Sequence, residues 1–263
     1  MIGYGSATIT QSFGTYRLKS GSECPLALQA AYDAGYRSFD TAQLYQNEAD
    51  VGALVEEYPD DKFHITTKVN CTYLDSGDKE LIRESVEDSL EKLGQINLLL
   101  LHSPTGMFPQ NWETIVEIRN DGLTEAVGVS NFKIEQLRVI LEKSDDRPES
   151  NQIELSPYLP RRELVEYCQK NKIPIASHSP LVKGRRFAGK HKHQPLIDLA
   201  ASEGCTPAQL LIGWGLTKGY TVLPRSANPE HIKENFAAVP LRTGVMDEMD
   251  GWDDGFATHR HLL

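Results

Sequence analysis

The sequence predicts an α/β fold, a (β/α)8 TIM barrel forming one domain over residues 1–263, and three observations carry that prediction. Short apolar, β-branched runs recur along the chain, and eight can be counted. Between them lie stretches whose apolar residues fall at three-to-four spacing, the signature of an amphipathic helix. The chain is long enough for one such barrel, and no Pro/Gly/Ser-rich linker or shift in composition divides it. Strands alternating with helices imply parallel pairing through right-handed crossovers. An open doubly wound sheet is the competing arrangement, and eight repeats at this length favour closure over it.

The elements follow in order. The opening "MIGYGSATIT" predicts a short β-hairpin turning at Gly5-Ser6. The first barrel strand is read in "SFGTY" (12–16), then "YRSFDTA" (36–42), "FHITTKV" (63–69) and "INLLLLHS" (96–103). The second half supplies "EAVGVSN" (125–131), "NQIEL" (151–155), "IPIASHS" (173–179) and "YTVLPRS" (220–226). Helices are predicted in "CPLALQAAYDAG", "NEADVGALVEEY", "KELIRESVEDSLEKLG", "NWETIVEIRNDG", "IEQLRVILEKS", "RRELVEYCQKN" and "PAQLLIGWGLTKG". Several close on glycine, as helices tend to. The basic stretch "KGRRFAGKHKHQ" (183–194) has no period and predicts a mobile loop with a solvated charged face.

Composition narrows the function classes. With 27 basic and 37 acidic residues the formal net charge is −10, which argues against a nucleic-acid partner. Cys24, Cys71, Cys168 and Cys205 stand far apart, with neither redox nor metal spacing, as in a reduced cytoplasmic chain. The first residues lack a basic segment followed by an apolar core, and no apolar run nears the ~20 residues of a membrane span. Neither a signal peptide nor a membrane association is therefore expected.

Chemistry in such barrels sits at the carboxyl ends of the strands. Polar residues gather there: Asp40 with Tyr45 just beyond it, Lys68, His102, Ser130-Asn131, Gln152 and Arg225-Ser226. Asp40 taken alone reads as a helix cap, and His102 alone as a satisfied core histidine. Together they read differently. A lysine at a buried strand end needs a carboxylate, and Asp40 on the neighbouring strand is the candidate. Lys68 beside Tyr45 is expected to lower the phenol's pKa, and His102 to orient a substrate oxygen. The result is a general-acid site for a carbonyl being reduced, with donors aimed where negative charge develops. No GxSxG, HExxH or paired-cysteine motif is present, so neither a nucleophile nor a metal is expected, and the hydride points to a nicotinamide. A barrel isomerase or hydrolase using Asp40 and His102 is the remaining alternative.

"FDTAQLYQNEADVG", "ITTKV", "LLLLHSP", "VGVSNF", "NQIELSPYL" and "LPRSANPEHIKENF" stand in the order and spacing of the aldo-keto reductase superfamily, which this chain resembles from Gly14 to Asn235. The resemblance implies a (β/α)8 barrel that binds NADPH, with NADH possible, and reduces aldehydes and some ketones as small-molecule substrates, in the cytoplasm. It makes Asp40, Tyr45, Lys68 and His102 the catalytic tetrad, with Tyr45 the proton donor. Ser130, Asn131 and Gln152 would hold the nicotinamide carboxamide, with Thr15, Asp40, Ser179 and Leu181 also near the cofactor. Arg225 and Ser226 would face the 2′-phosphate, and Glu234 and Asn235 the adenine. Three positions depart from the family: His178 replaces an aromatic that stacks on the nicotinamide, Arg225 a lysine, and His231 a phosphate-gripping arginine. Tyr45, His102 and Phe108 would touch substrate, Trp112 being either a second apolar wall or core. Some relatives serve as channel subunits or lens proteins, so a cofactor-binding sensor or structural subunit is the alternative role. A monomer is the favoured oligomeric state.

Overall fold

The period-two alternation of a β-strand decides which side chains enter the barrel and which meet the helices. The sequence "LLLL" shows it in its plainest form: Leu98 and Leu100 join the inner cluster with Ala126, Ala176 and Leu223, while Leu99 and Leu101 pack outward in the main core. The computed structural model of the protein describes residues 2–4 and 7–259. An antiparallel hairpin of β1 (Ile2–Tyr4) and β2 (Ala7–Ile9) opens the chain as expected, its Gly5-Ser6 turn lying outside the described residues.

Eight parallel strands then follow in sequence order: β3 (Phe13–Gly14), β4 (Ser38–Asp40), β5 (His64–Val69), β6 (Leu98–Leu101), β7 (Ala126–Ser130), β8 (Asn151–Glu154), β9 (Ile175–His178) and β10 (Thr221–Leu223). Each falls inside its predicted run. The barrel is closed between its ends by parallel bonds, Ser12 N donating to Val222 O (3.0 Å) and Val222 N to Thr10 O (2.9 Å).

The seven predicted helices appear as α1 (Glu23–Ala34), α2 (Glu48–Glu57), α4 (Lys79–Leu93), α5 (Phe108–Asn120), α6 (Ile134–Lys143), α7 (Arg162–Lys170) and α9 (Pro207–Thr217). Helix α4 is bounded by an Asp78 side chain that accepts from Glu80 N and Leu81 N, and by Gly94 at φ 74°. Four further helices were not expected: α3 (Cys71–Ser76), α8 (Gln194–Ser202), α10 (Pro229–Phe236) and α11 (Thr243–Asp250). Helix α5 starts three residues before "NWETIVEIRNDG", because Pro109 fits the first helical turn.

The basic stretch departs from expectation in one respect. Most of residues 183–194 are exposed, as a solvated charged face should be, but Arg186 and His193 tie the stretch as a strap to the chain's last described segment. The Arg186 guanidinium lies 4.4 Å from the Tyr158 ring centre and 4.0 Å from that of Phe256, and pairs with Asp254. Tyr158 also stacks on Trp252 (5.9 Å) and bonds His193 Nδ1 (2.9 Å). Arg186 sets its positive charge against two aromatic faces and one carboxylate, which a count of charges along the sequence does not reveal.

Candidate active site

Register delivers the site. On β4 the inward residues are Ser38 and Asp40; on β5 they are His64, Thr66 and Lys68; continuing the β6 alternation past Leu100 brings His102 to the same face. Strands β7, β8 and β9 add Ser130, Gln152 and His178 at the same end. Of these, Asp40, His102, Ser130, Gln152 and His178 line one cavity of about 860 Å³, while Ser38, His64 and Thr66 lie deeper in the lumen.

At its floor the Lys68 ammonium donates to Asp40 Oδ1 (2.6 Å) and to Thr41 O (2.7 Å). Both side chains are almost fully enclosed, Lys68 being 1% exposed. Gln152 Nε2 donates to the other Asp40 oxygen at 2.6 Å, so both oxygens of the carboxylate are satisfied. Lys68 Nζ stands 5.0 Å from the centre of the Tyr45 ring, and the His102 ring meets Tyr45 edge-on at 5.6 Å. The tetrad residues thus converge on one point.

Their protonation differs in one respect from expectation. Burial first, then the negative charge of Asp40, push the Tyr45 phenol well above its ordinary pKa rather than below it. The reason is geometric: the charge of Lys68 is matched at 2.6 Å by Asp40 and is not free to act on the phenol alone. Burial lowers the Lys68 pKa, opposed by Asp40. Burial and the Lys68 charge lower His102 to about 3, so its imidazole is neutral. His102 Nδ1 is buried without a hydrogen-bond partner among the described residues.

Of the residues assigned to cofactor, Asp40, Ser130, Asn131, Gln152, His178, Ser179, Leu181, Arg225, Ser226, His231, Glu234 and Asn235 all line this cavity. Thr15 does not: its hydroxyl is buried and donates to Asp40 O (3.1 Å), with Asn47 Oδ1 at the same distance, so it braces β3 against the following loop. Phe108 is also displaced, packing edge-on to Phe132 at 5.5 Å in the first turn of α5 and lining no part of the cavity. Trp112 is core. His178 lines the cavity, but its Nε2 bonds Asn131 Oδ1 (3.0 Å), and burial with several nearby cationic groups holds it well below its ordinary pKa. An uncharged ring is the form that can lie flat against an aromatic cofactor.

The cavity also holds residues that the sequence did not single out. Tyr16 packs against Tyr45 at 5.1 Å between ring centres; an aromatic directly after a strand end was the available signal. Arg17 and Lys183 join the expected Arg225 in bringing cations to the wall, and Leu44 and Cys71 also line it. His259 arrives from the far end of the chain, and no local pattern announces it.

Comparison with known proteins matches residues 1–254 to the Aldo/keto reductase family. The chain is an aldo-keto reductase. A methylglyoxal reductase of Escherichia coli is 37% identical to this aldo-keto reductase over 82% of its chain and 79% of the relative. An aldehyde reductase of Saccharomyces cerevisiae is 32% identical, covering 89% of each. Among solved structures, an aldo-keto reductase from a Medee basin deep-sea metagenome library superposes with a TM-score of 0.88 at 27% identity, covering 95% of this chain and 93% of that one. The Schistosoma japonicum aldose reductase gives 0.86 at 25%, covering 96% and 91%.

Aldo-keto reductases use nicotinamide cofactors, and the cavity fits one. Its volume is far beyond the needs of a small carbonyl compound and lies in the range that encloses a large organic ligand. One part is lined with amides and hydroxyls, and another with Arg17, Lys183 and Arg225, a donor set suited to phosphates.

Proposed function

We propose that this protein reduces aldehydes and some ketones to alcohols with NADPH, Tyr45 giving the proton. The observation that carries this reading is the convergence of Asp40, Lys68, Tyr45 and His102 at one end of a cavity with phosphate-binding cations elsewhere in its wall. The nicotinamide, when bound, supplies the hydride. The protein's own residues do the rest. Ser130, Asn131 and Gln152 offer amide and hydroxyl groups to the carboxamide, and Arg225 with Ser226 favours a 2′-phosphate over its absence. His231 in place of an arginine weakens that preference, so NADH is accepted as the poorer cofactor.

Neutral His102 donates to the carbonyl oxygen without competing for its proton. Tyr45 keeps its proton until the oxygen gains charge, because its phenol is held far above neutral pH. As that oxygen becomes basic, the proton passes from the Tyr45 hydroxyl to it. The nearby Lys68 ammonium then stabilises the phenolate left behind. Asp40 holds Lys68 charged and in place.

The names of the relatives make methylglyoxal a natural first substrate. Tyr45→Phe should still bind NADPH, read by fluorescence titration, while NADPH consumption with methylglyoxal falls at least about a hundredfold, the scale of a lost general acid. Consumption at the wild-type rate in that variant would remove Tyr45 from the reaction. NADPH binding by the wild type without turnover on any aldehyde would favour a sensor or structural role.

A further inference from the structure

Tyr45 ends a single 3-10 turn (Gln43–Tyr45) whose backbone has little of its own to hold it. Tyr45 N donates to Ala42 O (2.9 Å) and Gln46 N to Gln43 O (3.2 Å), and Gln46 follows at φ 57°, in the left-handed region. A residue other than glycine keeps such a backbone only where its surroundings impose it. Three side chains beside the turn do so, and none of them lines the cavity. The first is Gln43, whose Nε2 donates to Ser85 O of α4 (2.9 Å) and whose Oε1 accepts from Asn70 N after β5 (2.8 Å).

The second is Asn47, which stands at the N-cap of α2, where an asparagine ordinarily accepts from its own helix. Its side chain makes no such bond. It is completely buried and turns to the loops after β3 and β4. Its Oδ1 accepts from Thr41 Oγ1 (2.8 Å), and its Nδ2 donates to Thr15 O (3.0 Å) and Leu18 O (3.2 Å). The carbonyl of that same Thr41 receives the Lys68 ammonium. The third is Glu48. An acidic first residue ordinarily favours the positive end of its helix from the solvent side. Glu48 is instead 4% exposed, its Oε1 accepting from Thr67 Oγ1 (2.5 Å) and its Oε2 from Ser89 Oγ of α4 (3.2 Å). Thr67 precedes Lys68 on β5, so its side chain leaves the opposite face of the strand.

We propose that Asn47 and Glu48 are positioning residues for the proton donor: through Thr41 and Thr67 they lock the Tyr45 turn to the ends of β4 and β5, and so set the phenol against the Lys68 ammonium. The proposal rests on the reductase reading above. Lys68 is fixed in the barrel floor by Asp40 and Thr41, whereas Tyr45 rides on a loop. The 5.0 Å from ammonium to ring centre is therefore a distance between two separately mounted groups. Proton transfer depends on it, since the ammonium must stand beside the phenolate as that charge forms. Neither Asn47 nor Glu48 lines the cavity, so their effect falls on the chemical step and not on binding.

The test cuts each tie from the strand side, in the full chain. Thr41→Val and Thr67→Val replace a buried hydroxyl by a methyl of the same shape and leave Asn47 and Glu48 in place. In each, kcat for methylglyoxal with NADPH should fall at least about tenfold, the scale of a small misplacement of a reacting group, with both KM values within about twofold. Thr67→Ser, which keeps the hydroxyl, should hold kcat within about threefold. Repeating the valine changes in Tyr45→Phe separates positioning from general damage: with no phenol hydroxyl to place, neither should lower the residual rate further. Amide hydrogen exchange at Tyr45 and Gln46 should quicken at least about tenfold in each valine variant. Equal losses with and without the Tyr45 hydroxyl overturn the positioning role, as do unchanged kcat in both valine variants, a Thr67→Ser loss equal to that of Thr67→Val, or unchanged exchange. Wild-type protein that consumes no NADPH with any aldehyde overturns the reductase reading, and exchange then still decides whether the two ties hold the turn.

Discussion

A lysine with its ammonium sealed inside a barrel stays charged only while its partners remain, and Lys68 has few: Asp40 Oδ1 and the Thr41 carbonyl. Asp40 in turn has Lys68 and Gln152. Two roles are superposed here, holding the barrel together and serving the chemistry, and substitution can separate them. Lys68→Met leaves a buried carboxylate without its counter-ion and should cost about 3–5 kcal/mol of unfolding free energy. Adding Asp40→Asn removes the orphaned charge and should recover most of that loss in urea unfolding. Turnover should remain abolished in the double variant, because Tyr45 has then lost the ammonium beside it. Recovery of activity along with stability would mean that the pair is structural only. The pairing itself was legible in the sequence, from a lysine and an aspartate at the ends of adjacent strands. Its effect on Tyr45 was not, since that depends on how closely Asp40 neutralises Lys68.

Among the elements, what was readable and what was not divides by distance along the chain. The eight strands and seven helices are local patterns, and the alternation that points Asp40, Lys68 and His102 inward is visible in a few residues each. The strap at 183–194 pairs Arg186 with Asp254, 68 residues on, and the Glu154 carboxylate accepts from His259 N, 105 residues on. No periodicity encodes such contacts. Thr15 and Phe108 lie outside the cavity lining for a related reason: their side chains turn to Asn47 and Phe132, partners that lie beyond the local pattern. Helix packing offers a sharper test. Gly52 of α2 lies against the last turn of α4 so closely that a Cβ would stand 1.8 Å from Lys92 O. Gly52 has no positive φ, so the demand is for space and not for backbone freedom. Gly52→Ala must push the two helices apart, at a cost of about 3 kcal/mol. Because α2 follows the Tyr45 loop directly, turnover should fall as well. Urea unfolding and NADPH consumption read the two effects, and an alanine variant of wild-type stability would show that the close approach is not maintained in solution.

Across the whole molecule, the barrel's interior sets how stability responds to acid. His64 faces the lumen among Ser12, Ser38 and Thr66, and burial lowers its pKa to about 4; His102 above it is lowered to about 3. His178 is held lower than usual by the same cause. In the unfolded chain these imidazoles take up protons near their ordinary value of ~6.5. Between that value and about 4 the unfolded state therefore binds protons that the native state refuses, and stability is lost as pH falls through this window. Each such histidine contributes a slope of up to about 1.4 kcal/mol per pH unit. Glu48 acts in the opposite sense, since burial raises its pKa and the native state gains a proton first; one carboxyl offsets only part of three imidazoles. Urea unfolding at pH 7, 6, 5 and about 4.5 should show a steady decline. His64→Gln, which keeps a polar group in the lumen but removes its titration, should flatten that decline without altering the dependence due to His102 and His178. A wild-type midpoint that stays constant from pH 7 to about 4.5 would mean that the lumen histidines are protonated as readily folded as unfolded, and that water reaches the barrel's interior far more freely than its close packing allows.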